Sequence, residues 1–197
     1  MKIQLTLVGI FSILTLAYPP PIVSVYFVFE YMNVILFSWY LCLFYEWCLH
    51  NIGHLRIRGN IYYTKHMYHH KIAYPYDKLL QVGPYKSDGS GWIFLPLIIL
   101  LWSSIYWIVP NKKISTIILI ESGGFLIISD YLHTQYHVEN TWLEGFLGDW
   151  FIQRRQYHFH HHQHLHRNMS LGGISTIMDR LFGTYWSLAD INGNKII

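Results

Sequence analysis

The chain has 197 residues, enough for one domain with a buried core, yet its composition is not that of an ordinary soluble domain. Apolar residues make up 52%, aromatics 18% and charged residues only 13%, against about 25% charged in a typical globular protein. The formal charge is +3, and no basic run or RNA-binding aromatic motif is present, which sets nucleic acid aside as a partner.

In chain order, four apolar stretches stand out: Ile3–Tyr18, Ile22–Leu49, Trp92–Val109 and Ile114–Leu132. A membrane-spanning helix needs roughly 20 apolar residues. The second and third stretches meet that length, the first is short, and the fourth carries Glu121 and Asp130. Pro19-Pro20-Pro21 breaks the chain between the first and second, and Pro110-Asn111-Lys112-Lys113 between the third and fourth, so two helical hairpins follow. Lys2 before the first stretch resembles a secretory signal, but no small-residue cleavage site follows it, and a retained anchor is expected. Eight Trp and sixteen Tyr fit rings that concentrate at the membrane–water interface. The fold expected is all-α, an integral membrane bundle of about four transmembrane helices with a histidine-rich helical cap. One domain is expected to occupy residues 1–197.

Between the spans, residues Lys71–Gly91 read as a polar loop or partly helical cap. Thr141–Ile152 reads as an amphipathic helix lying in the membrane interface, with Arg154 and Arg155 behind it placed for lipid headgroups. Glu30 and Glu121 fall inside apolar stretches, each read either as a functional group or as a neutral, hydrogen-bonded link between helices. Gly123-Gly124 is expected to allow close helix packing. Cys42 and Cys48 share one apolar segment and read as small buried hydrophobes rather than a disulfide. Lys195 is half of a dilysine retrieval signal.

The strongest signal is the histidines. Ten of thirteen fall into four groups: His50/His54, His66/His69/His70, His133/His137 and His158/His161/His162. They read HxxxH, HxxHH, HxxxH and HxxHH. Positions three and four apart share one helix face, about 5–6 Å apart at Cβ, so each group aims several imidazoles at one point. Neutral imidazole suits iron, zinc, copper and nickel, and ten ligands fit two ions better than one. The run from His158 to His166 also contains His160, His164 and His166, which fall outside the HxxHH spacing. A generic metal-scavenging tract would explain that run but not the three ordered groups before it. Glu46 lies four residues before His50 and Asp130 three before His133, within reach of an imidazole as supporting carboxylates. Between His70 and His133 the chain crosses the bilayer twice or not at all, so all four groups share one side. Of the fourteen Lys and Arg, only Lys112 and Lys113 lie on the other side, which makes the histidine side cytosolic.

These motifs resemble the fatty acid hydroxylase/sterol desaturase superfamily of integral-membrane histidine-box di-iron enzymes. Glu46-Trp47-Cys48-Leu49-His50 is similar to the lead-in to that family's first motif, and Asp130-Tyr131-Leu132-His133 with His137 to its third. Arg154-Arg155-Gln156-Tyr157-His158 resembles the approach to the last, and Gly172-Gly173-Ile174 with Asp179-Arg180-Leu181-Phe182-Gly183-Thr184 the closing segment. Three residues separate the first two histidines, where the fatty acyl 2-hydroxylase branch often has four, and Met178 stands where Trp is usual. Both leave the branch open. The resemblance implies two irons held by the ten histidines, no bound organic cofactor, and O2 as co-substrate. It also implies a lipid drawn from the bilayer. No cytochrome b5-like His-Pro-Gly-Gly segment is present, so electrons are expected from a separate cytochrome b5 or ferredoxin-type donor. A fatty acyl or sphingolipid hydroxylase is favoured, with sterol or carotenoid desaturation or hydroxylation as the alternative. The membrane would be endoplasmic reticulum in a eukaryote and inner membrane in a bacterium. A non-catalytic metal-handling membrane protein would want histidines inside the apolar stretches, which hold none.

Overall fold

The computed structural model describes residues 25–85, 94–187 and 189–190, with side chains from residue 31 onwards. The expectations for Ile3–Tyr18, the Pro19–Pro21 break, the Glu30 side chain and Lys195 lie outside the described residues. The described residues form helices α1 (Val25–His54), α2 (Ile61–Tyr68), α3 (Leu95–Ile108), α4 (Lys112–Tyr136), α5 (Trp142–Gln163) and α6 (Ile177–Leu181), with a π-helical turn at His69–Ala73 directly after α2. Among the described residues the only β pairing is an isolated bridge between Gln81 and Val138. The described residues make an all-helical fold.

Among the described residues two helical segments are long and apolar enough to cross a membrane, Tyr31–His54 of α1 and Lys112–Tyr136 of α4. Helix α3 is apolar but has only 14 residues, short of the roughly 20 needed. Both long helices run on past the apolar stretches, so His50, His54 and His133 lie near their C-terminal ends.

The chain divides into two compact units, Met1–Cys42 with Ile99–Ile127, and Leu43–Ile98 with Ile128–Ile197. In the first, Glu121 on α4 accepts from Ser38 Oγ on α1, the helix-linking role, and Trp39 packs edge-on against Phe125 at 5.3 Å. The turn before α4 is held by Asn111, whose Oδ1 accepts from the Lys113 and Ile114 amides at 3.0 and 3.4 Å. Of the Gly123-Gly124 pair, Gly123 is buried, while no described atom lies within 4 Å of where a Gly124 Cβ would sit.

The second unit centres on Leu132, Tyr136, Leu143 and Phe151. Helix α5 joins the expected interfacial segment to the last histidine group as one element, kinked at Gly148. Trp142, Phe146 and Ile152 are exposed along it while Leu143 and Phe151 are buried, so its first half is amphipathic. Both arginines behind it make contacts within the unit. Arg155 Nη1 donates to Glu144 at 2.7 Å and Nη2 to the Val138 carbonyl at 2.9 Å, and Arg154 lies over the rings of Trp150 and Tyr157. The end of α4 leaves carbonyls without helical partners, and a guanidinium fork satisfies several at once. Neither cysteine is in a disulfide.

Candidate metal centre

Local chemistry aims the first two histidine groups at each other. Asn60 Oδ1 accepts from the Tyr62 and Tyr63 amides, capping α2, while its Nδ2 donates to the Ile52 and Leu55 carbonyls that end α1. One side chain thus locks the turn between His54 and His66. Close approach also requires Gly53, where a Cβ would meet the His66 ring at 3.0 Å. In the π turn the Tyr74 amide donates to the His69 carbonyl at 2.8 Å, one residue further along than an α-helix allows. Such turns recur at functional sites.

The ten histidines converge into two clusters in the second unit, and all ten are buried. In the first, one ring nitrogen from each of His50, His54, His66, His70 and His161 lies within 4.8 Å of every other. His54 Nε2 is 3.3 Å from His50 Nε2, 3.1 Å from His161 Nε2 and 3.0 Å from His66 Nε2, and His66 and His70 are 3.0 Å apart. The second gathers His69, His133, His137 and His158 in the same way. His162 joins it, with Nε2 3.1 Å from His158 Nε2, which is itself 2.9 Å from His137 Nε2.

Each HxxHH group is divided between the clusters. His66 and His70 face the first while His69 faces the second; His158 and His162 face the second while His161 faces the first. The expectation that each group serves one point therefore holds for the i, i+4 pairs only: the middle histidine, about 100° round the helix from its neighbour, turns to the other cluster.

These nitrogens fit a cation. Ligand nitrogens about 2.0–2.1 Å from a metal lie about 3.0 Å apart at right angles and about 3.4 Å apart in a tetrahedron. The ring faces opposite are already committed as donors. His50 Nδ1 donates to the Met169 carbonyl at 2.5 Å and His161 Nδ1 to the Arg167 carbonyl at 2.8 Å. His137 Nδ1 donates to the Leu79 carbonyl at 2.8 Å and His162 Nδ1 to the Tyr74 carbonyl at 2.9 Å. That leaves Nε2 lone pairs pointing at one another, and a single N–H on His54 cannot satisfy three neighbours. A buried His133 Nε2 likewise has no hydrogen-bond partner. Burial, with crowding by other imidazoles, holds His66, His70, His158, His161 and His162 well below their ordinary pKa, in the neutral form a metal needs.

The two carboxylates expected to support the ligands sit in different settings. Glu46 is buried, but its carboxylate accepts from Ser129 Oγ and from the Gly172 amide at 2.8 Å, while the donor on His50 goes to Met169. A loop amide has no other partner in a buried site, so it takes the carboxylate. Asp130 sits at an exposed position on α4. The carbonyls of Tyr74, Leu79, Arg167 and Met169 left no trace in the sequence, because every residue type offers one. His160, His164 and His166 belong to neither cluster. His160 packs between His164 and Trp186 at ring distances of 4.5 and 4.9 Å, and burial pushes its pKa down to about 4. His166 is exposed.

Comparison with curated proteins and with solved structures returned no match. The sequence model of the fatty acid hydroxylase family matches residues 34–184, a span that takes in all ten clustered histidines and the loop beneath them. The chain therefore belongs to the fatty acid hydroxylase family, within the fatty acid hydroxylase/sterol desaturase superfamily of membrane oxidoreductases.

Proposed function

We propose that the chain is a membrane-bound di-iron oxygenase that hydroxylates a lipid, with a fatty acyl or sphingolipid chain as the favoured substrate. The observation that carries the reading is the division of ten buried histidines into two convergent clusters. His50, His54, His66, His70 and His161 hold one iron; His69, His133, His137, His158 and His162 hold the other. Imidazole is a ligand that iron accepts, and the two irons supply O2 activation.

The chain's own residues do the rest. Carbonyls of two loops fix the tautomers of four ligands, so Nε2 faces the metal. Burial keeps bulk water from the site and holds the ligands neutral. Residues 1–197 act as one domain with the histidines at the cytosolic ends of α1 and α4, where a lipid enters from the bilayer and a separate cytochrome b5 or ferredoxin-type donor delivers electrons. The excess of Lys and Arg on the histidine side supports that orientation.

The test is purification in detergent with metal analysis, together with lipid profiling of a host with and without the chain under oxygen-18. Two irons per chain and a labelled hydroxyl on a lipid are expected. An unlabelled double bond assigns desaturation instead. Metal binding with no oxygen-dependent product in any lipid class would leave a metal-handling protein.

A further inference from the structure

The two clusters are supported differently, and the difference points to a residue outside both. His50 and His161, from α1 and α5, rest their Nδ1 atoms on carbonyls of one segment, Met169 and Arg167. That segment lies between α5 and α6 and is held from below by Asp179 of α6. The Asp179 side chain is almost fully buried, 1% exposed. Its Oδ1 accepts from the Met169 amide at 2.6 Å and from Thr184 Oγ1 at 2.6 Å, and its Oδ2 accepts from the Ser170 amide at 3.1 Å. The second cluster rests on a separate segment, through the Tyr74 and Leu79 carbonyls.

The Ser170 N–H and the Met169 carbonyl are the two ends of one peptide group. Asp179 binds the N–H end; His50 binds the carbonyl end. A carboxylate hydrogen-bonded to an amide polarises it, and the polarised carbonyl becomes a stronger acceptor for the next donor. Metal-bound histidines usually place their second nitrogen on a carboxylate or carbonyl, which fixes the ring and raises its basicity. Here the two supports act in series, carboxylate to peptide to imidazole.

Resting on the reading that both clusters hold iron, we propose that Asp179 is a positioning residue for the first iron alone, acting on His50 through the Met169–Ser170 peptide. Neither periodicity nor helix-face reasoning reveals this link, because the residues joined are 129 positions apart in sequence.

The experiment uses the full chain purified in detergent and loaded with iron-57, as wild type, Asp179→Asn and Asp179→Ser. Asn preserves shape but turns an amide nitrogen towards at least one of the three donors; Ser removes the carboxylate. Iron per chain is titrated against a competing chelator, and Mössbauer spectra separate the two iron environments. The expected result is that one iron of two is weakened by about 10–100-fold, the scale of a lost outer support, with its spectral component altered and the other unchanged. Equal weakening of both irons, or loss of folded protein in both variants, overturns the proposal by assigning Asp179 to the framework as a whole. Two irons held with wild-type affinity and spectra in both variants also overturns it. Wild-type protein that takes up fewer than two irons refutes the di-iron reading itself, which separates the two failures.

Discussion

Gly172→Ala should damage both the fold and the centre, because Gly172 lies against the backbone of α4. A Cβ on Gly172 would sit 2.3 Å from Ser129 Oγ, 2.8 Å from Ser129 Cα and 2.9 Å from Ser129 Cβ. The hydroxyl can rotate away, but the Cα cannot. Relief to an ordinary contact of 3.4–4 Å moves the loop or the helix by roughly an ångström. The Gly172 amide, 2.8 Å from Glu46, and the Gly172 carbonyl, 2.7 Å from Tyr136 Oη, then both leave hydrogen-bonding range. Overpacking of this kind costs about 1–3 kcal/mol, and each buried polar group left unpaired costs about 1–3 kcal/mol more. A loss of about 3–9 kcal/mol is expected. For a chain of this size, that lowers the melting temperature by roughly 6–36 °C. Thermal melting followed by size-exclusion chromatography in detergent measures the loss, and metal analysis reads its effect on the first cluster. A melting temperature within about 2 °C of wild type, at unchanged metal content, would refute the close-approach argument.

Three further outcomes are expected. His161→Ala should remove one ligand from the first cluster and cut oxygen-dependent product by about 100-fold or more, exceeding the effect of an outer support, while the protein remains membrane-inserted; full turnover would remove His161 from the site. Asn60→Ala loses a helix cap and two ties to the end of α1, costing about 1–2 kcal/mol, and the melting temperature measures it. In metal-free protein the ligand imidazoles have pKa values depressed in the fold, so the unfolded chain takes up protons that the folded chain refuses. Stability is therefore full above about pH 6.5 and falls as pH drops below it, by up to ~1.4 kcal/mol per pH unit for each histidine. A melting temperature that stays flat from about pH 7.5 to pH 5.5 would contradict that sign.

Much of the metal centre is local and therefore legible in sequence. HxxxH and HxxHH are statements about one helix face, and helical periodicity brings His50 to His54, His66 to His70, His133 to His137 and His158 to His162 before any tertiary contact forms. The two apolar helices are likewise a matter of length and composition. Glu121 was legible as far as its apolar setting, and its partner Ser38 settled which of two roles it plays.

What periodicity cannot carry is the pairing between groups. Only the packed helices decide that His69 crosses to the cluster of His133 and that His161 crosses to the cluster of His50. The ring supports are non-local too, made of backbone carbonyls that any residue could supply. For the same reason the partners of Glu46 and Arg155 were not legible in the sequence. Helix-face spacing puts Glu46 within reach of His50, and sequence position puts Arg155 near lipid headgroups; the bonds that both make to amides and carbonyls of distant segments have no signature in sequence. By itself the sequence determined which residues could bind metal, because that depends on spacing along a helix. The tertiary structure decided which cluster each residue joins and what holds it there, because unsatisfied backbone groups in a buried site take the nearest partner in space.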